Sequence, residues 1–91
     1  MSKQQHILRF SGNVQGVGFR FTACRAAGGY DITGFVRNCR DGSVECVVEG
    51  EQAELKAFAN DLNSQMACHV RKMSCQIAPY TGDYRTFGVK Y

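Results

Sequence analysis

The chain has 91 residues, 44% of them apolar and 21% charged, with a net charge of +3. That is ordinary globular usage, so neither disorder nor a fibrous repeat is expected. The length suits one domain, residues 1–91, whose core buries roughly 60 to 65% of the surface that the unfolded chain exposes. The mild positive charge suits a small anionic substrate as well as nucleic acid and decides between them for neither.

Residues 7–14 (ILRFSGNV) set Leu8, Phe10 and Val14 on one parity, the alternation of a half-buried strand. From Val17 to Ala27, Val17, Phe21 and Cys24 fall at helical spacing, and Gly28-Gly29 ends the helix with a frayed last turn. Residues 33–38 and 43–49 flank Cys39-Arg40-Asp41-Gly42, where Asp-Gly signals a hairpin; Val44, Cys46 and Val48 face one way, Glu45 and Glu49 the other. From Gln52 to Gln65, Leu55, Phe58, Ala59 and Leu62 make an apolar stripe, which predicts a second helix. Met73, Cys75 and Ile77 alternate in a fourth strand, Pro79 to Asp83 reads as a polar turn, and Phe87, Val89 and Tyr91 alternate to the end. The expected fold is α+β: a ferredoxin-like βαββαβ sandwich with an antiparallel sheet, both helices on one face and a short extra C-terminal strand. Many unrelated activities use that architecture, so function must come from the site.

The first residues lack the apolar region of a signal peptide, and no run approaches a membrane span, so a cytoplasmic protein with no membrane association is expected. The five cysteines are odd in number and none forms a C-x-x-C pair. In a reducing compartment they read as small, mostly buried thiols, with one disulfide or one reactive surface thiol as the alternative. His6 and His69 lack metal-ligand spacing and read as structural or surface residues; Arg25, Arg37 and Arg40 read as solvated charges, the last two raising the potential around Asn38. No metal or other cofactor is expected.

The chemistry concentrates in two stretches. Gly12-Asn13-Val14-Gln15-Gly16-Val17-Gly18-Phe19-Arg20 joins the first strand to the first helix. Its glycines either make only a tight turn or let successive N–H groups converge on an anion at a helix start. It is neither a P-loop nor a dinucleotide fingerprint. Arg20 favours the anion reading, because its planar fork can grip a phosphate bidentately beside those amides. The second stretch is Gly34-Phe35-Val36-Arg37-Asn38-Cys39-Arg40-Asp41-Gly42, where Asn38 ends a strand before the hairpin turn and by itself could be an ordinary turn asparagine.

Together the two stretches resemble the acylphosphatases, whose signatures read Gly-x-Val-Gln-Gly-Val-x-Phe-Arg and Gly-aromatic-x-x-Asn-x-x-x-Gly-x-Val-x-x-x-x-x-Gly. Gly12 to Arg20 and Gly34 to Gly50 match every specified position. The resemblance implies hydrolysis of the carboxyl-phosphate bond of acyl phosphates by direct water attack, with Arg20 holding the phosphate, Asn38 holding the water, and the amides of Gln15, Gly16, Val17, Gly18, Phe19 and Arg20 as the phosphate cradle. It implies a small-molecule acyl phosphate substrate, phosphate or sulfate as an active-site anion, and a monomer. The chemistry needs no covalent nucleophile, because the carboxylate leaving group is weakly basic and positioning with charge stabilisation can suffice. No cysteine has an arginine six positions later, and there is no Asp-x-Asp pair for an aspartyl-phosphate route. Two other readings are a non-catalytic module that binds acyl or carbamoyl phosphate, against which a short chain with both Arg20 and Asn38 argues, and a single-strand RNA binder. The second lacks the aromatic run in the central strands that base stacking needs, so no nucleic acid partner is expected.

Overall fold

The computed structural model describes residues 2–91. In chain order it contains β1 (Lys3–Gly12), α1 (Phe19–Ala27), β2 (Ile32–Asn38), β3 (Val44–Glu51), α2 (Gln52–Gln65), β4 (Val70–Pro79) and β5 (Phe87–Val89). The sheet runs β4-β1-β3-β2-β5. The four strands of the βαββαβ unit pair antiparallel, and β5 adds to β2 in parallel, so the complete sheet is mixed. No helix of the described residues is long and apolar enough to cross a membrane.

β1 starts four residues before the expected strand, because Lys3, Gln4 and Gln5, though polar, pair with Glu51, Gly50 and Glu49 in the centre of the sheet. Val14 lies beyond the strand end but is fully buried. The α2 boundaries and its buried stripe of Leu55, Phe58, Ala59 and Leu62 match the periodicity. The core between sheet and helices holds Leu8, Phe10, Leu55, Phe58 and Leu62, each at 0% exposure and each stabilising the fold by about 1.5–3 kcal/mol. Phe10 packs tilted against Phe19 at 4.9 Å between ring centroids, and Phe58 meets Phe87 edge-on at 5.6 Å, tying helices and sheet together.

Four sequence expectations need correction. The buried face of α1 is Phe19, Ala23, Ala26 and Ala27, whereas Phe21 is 69% exposed. The spacing was that of a helix, but small alanines face the sheet and permit a close approach. β4 is covered only at its start, where Val70 and Met73 pack against the core; the helices rest mainly on β1, β2, β3 and β5, so Cys75 and Ile77 are exposed although they share Leu8's and His6's face. The thiols are all free but not mostly buried: Cys46 is buried, Cys24 and Cys39 are half-buried, and Cys68 and Cys75 are exposed. Finally, Tyr91 lies beyond β5, fully exposed. The glycine pair does end α1, with Gly28 at its C-cap and Gly29 and Tyr30 closing a tight turn onto Ala26 and Ala27.

Candidate functional site

The loop between β1 and α1 is anchored at both ends. Asn13 N–H donates to the carbonyl of His69 (2.9 Å), Val14 is sunk in the core, and Phe19 fixes the helix start. Between these anchors Gly16 (φ 76°) and Gly18 (φ 79°) are left-handed, while Val17 keeps a negative φ. A Cβ on either glycine would meet nothing within 4 Å. Glycine is required there by backbone direction, at about 1–2 kcal/mol for any other residue, and not by crowding. An alternation of φ sign is the backbone pattern from which successive N–H groups can converge on an anion.

The start of α1 adds to it. Gly18 caps the helix with no side-chain hydrogen bond, and the first helical bond runs from Thr22 N–H to Gly18 C=O at 3.0 Å. The N–H groups of Phe19, Arg20 and Phe21 therefore have no helical acceptor, and no acidic residue occupies the first turn. These donors carry the positive end of the helix dipole, about half an elementary charge.

A pocket of about 400 Å³ opens over this loop, lined on its polar part by Gly16, Gly18, Arg20 and Asn38. Phe21, Cys24, Val89 and Tyr91 supply its apolar wall. Arg20 is half-buried, with its guanidinium 5.4 Å from the centre of the Tyr91 ring. Asn38 is exposed at the end of β2. Burial pushes the Cys24 thiol up, so this wall stays neutral.

The fold thus brings Arg20 and Asn38 to one pocket with Gly16, Gly18 and Phe19. Gln15 and Val17 do not line it: Val17 packs against the core, and the Gln15 side chain turns to the hairpin. There its Nε2 donates to the carbonyls of Cys39 (2.8 Å) and Ser43 (2.9 Å).

A second group holds the same turn. Arg9 donates to Ser43 Oγ (3.0 Å) and Glu45 Oε2 (3.0 Å), and Arg37 Nε donates to Glu45 Oε1 (2.8 Å). Asp41 Oδ1 accepts from the Ser43 hydroxyl and N–H, bonds that, with Arg9 nearby, hold its carboxyl below the usual range despite slight desolvation. Arg37 is therefore ion-paired and not simply solvated. Glu45 faces away from the core as expected yet is only 8% exposed, because both arginines cover it. Sequence reasoning overlooked Arg9 and Glu45. Strand register was the missing signal: Arg9 pairs with Glu45 and Glu45 with Arg37 in one row across three strands.

The acylphosphatase family model matches residues 6–89. The chain is 38% identical over 86 residues to an acylphosphatase of Lactobacillus johnsonii, covering 92% of this chain and 94% of the relative. Its fold matches the crystal structure of acylphosphatase from Bacillus subtilis with a TM-score of 0.86 and 27% identity, over 97% of this chain and 99% of that one. It also matches 12% of the much longer HypF of T. kodakarensis, with a TM-score of 0.78, 32% identity and 98% of this chain covered.

Proposed function

This chain belongs to the acylphosphatase family and hydrolyses acyl phosphates, and we propose that Arg20 and Asn38 carry the reaction. The phosphate lies on the nest of the Gly16 to Gly18 loop and the free N–H groups of α1, with the Arg20 guanidinium on two of its oxygens. Asn38 accepts a hydrogen bond from a water and aims its lone pair at phosphorus. The water oxygen forms the new P–O bond as the bond to the acyl oxygen breaks. The carboxylate leaves with that bonding pair, and the water proton ends on phosphate. The weakly basic leaving group needs no acid, which leaves positioning and charge stabilisation to the protein.

The observation that carries this reading is the convergence of Arg20, Asn38 and two left-handed glycines on one pocket. Inorganic phosphate or sulfate then occupies the same nest as a competitive anion. A single core packed from β1 to β5 supports reading residues 1–91 as one working domain, and a monomer is the state we expect of it. Five free thiols fit a cytoplasmic, reducing location. The test is Asn38→Ala: phosphate inhibition within a few-fold of the parent, with turnover lower by roughly 10²-fold or more, the scale of a lost preorganised polar group. Retained turnover with lost phosphate inhibition would make Asn38 an anion ligand and overturn the assignment.

A further inference from the structure

We infer that Gln15 is a positioning residue that sets Asn38 against the phosphate cradle, an inference that rests on the role proposed for Asn38. Gln15 immediately precedes the left-handed Gly16, so its backbone belongs to the anion loop. Its carboxamide nitrogen, however, spans to Cys39 and Ser43, 24 and 28 residues away.

Those two carbonyls are the ends of the turn that follows Asn38. Each already accepts one turn bond, from Gly42 N–H (3.2 Å) and Cys39 N–H (2.8 Å) respectively. Gln15 spends both of its amide hydrogens on the remaining lone pairs.

The other ties on the turn come from the sheet. Arg9 reaches it from β1, and Glu45 and Arg37 sit on its own two strands. They hold the hairpin to the sheet without fixing its distance from the cradle. Among the described side chains, only Gln15 joins the anion loop itself to the turn. If Arg20 and the nest fix phosphorus and Asn38 fixes the water, Gln15 fixes the gap between them. A displacement of about 1 Å at such a gap can cost 10²-fold in rate.

Gln15→Met keeps the length and removes both donors. Turnover of acetyl phosphate is expected to fall about tenfold or more, with phosphate inhibition within a few-fold of the parent, because the error lies in alignment. The decisive measurement repeats the substitution on Asn38→Ala. With no carboxamide left to position, Gln15→Met should there change turnover by less than about twofold. An equal fall on both backgrounds would overturn the inference and leave Asn38's role standing. Retained turnover in Asn38→Ala alone would remove that role and the inference with it. Should Gln15→Met not fold, Gln15→Glu provides a second readout. Its carboxylate faces two carbonyls at neutral pH and becomes a donor only when protonated. Its turnover relative to the parent at the same pH should therefore rise as pH falls, and a flat ratio would count against the inference.

Discussion

Replacing Glu49 with Gln tests how the segment between β4 and β5 is held. The Glu49 side chain is 1% exposed and its carboxylate accepts four hydrogen bonds. Oε2 receives Gln5 Nε2 (2.8 Å), Thr81 N–H (2.9 Å) and the Thr81 hydroxyl (2.8 Å), and Oε1 receives Gly82 N–H (3.0 Å). Burial disfavours the charge, but the donors from Thr81, Gln5 and Gly82 outweigh it and hold the carboxyl below its ordinary value of 4.5. A carboxamide has one acceptor oxygen. Seated at the Oε2 position, it turns its own NH₂ toward Gly82 N–H, which loses one bond and leaves donor facing donor, at about 1–3 kcal/mol. The three surviving bonds pass from a charged to a neutral acceptor, at about 0.5–1 kcal/mol each. Such terms do not add fully within one network, so the expected loss is about 2–4 kcal/mol, or a fall in Tm of about 10–25 °C for a domain of this size.

The sign with pH follows from the depressed pKa. The carboxylate's contribution is complete above the unfolded value and is lost as pH falls through the folded one, so the gap between parent and Glu49→Gln should narrow in acid below 4.5. Circular dichroism melts of both proteins from neutral to acidic pH measure this directly. A Tm within about 3 °C of the parent at neutral pH, or a gap that widens in acid, would refute the reasoning.

Arg20→Lys and Arg20→Ala should both lose phosphate inhibition and fall by about 10³ to 10⁵ in turnover, since an ammonium cannot reproduce the guanidinium fork; unchanged inhibition would move the anion site elsewhere. Cys39→Ser should keep most activity, because its sulfur sits 3.6 Å from Arg9 Nη1, among the side chains that hold the turn, and a hydroxyl can accept the same bond; loss of turnover in a folded variant would make the thiol chemical. Dialysis against a chelator should leave hydrolysis of acetyl phosphate unchanged, as a carboxylate leaving group needs no Lewis acid, and a loss restored by magnesium or zinc would contradict the mechanism.

How legible each part was depended on the range of the interactions behind it. α2 could be read residue by residue, because its stripe repeats over fourteen residues and one face decides its burial. The motif glycines were legible as a pattern, and Gly34 shows why: a Cβ there would lie 1.8 Å from the carbonyl of Val47, too close for any side chain. α1 was harder, since the same i, i+4, i+7 spacing fits Val17, Phe21 and Cys24 as well as Phe19, Ala23 and Ala26. Size favoured the first set, and close packing on the sheet selected the second. Arg9 and Gln15 were opaque because their partners are 24 to 36 residues away, a separation at which no local pattern survives, and Glu45 joins Arg37 only across the hairpin. Strand register brings Arg9 and Arg37 onto Glu45, and the β1–α1 loop brings Gln15 onto the turn.

The sheet ends on β4, whose uncovered flank is the longest free run of main-chain donors and acceptors in the fold, because the opposite margin is the three-residue β5. Such a margin can template a foreign strand, and the exposed Ile77 would make the adduct stick. Arg71 and Lys72 charge one end of it, and Pro79 withdraws an N–H at the other. What is left, Met73 to Ala78, falls at the lower limit of the six or seven residues that a steric zipper needs, and Ser74 and Gln76 interrupt its hydrophobicity. Any change that removed either terminal guard would therefore act on colloidal lifetime well before it acted on turnover.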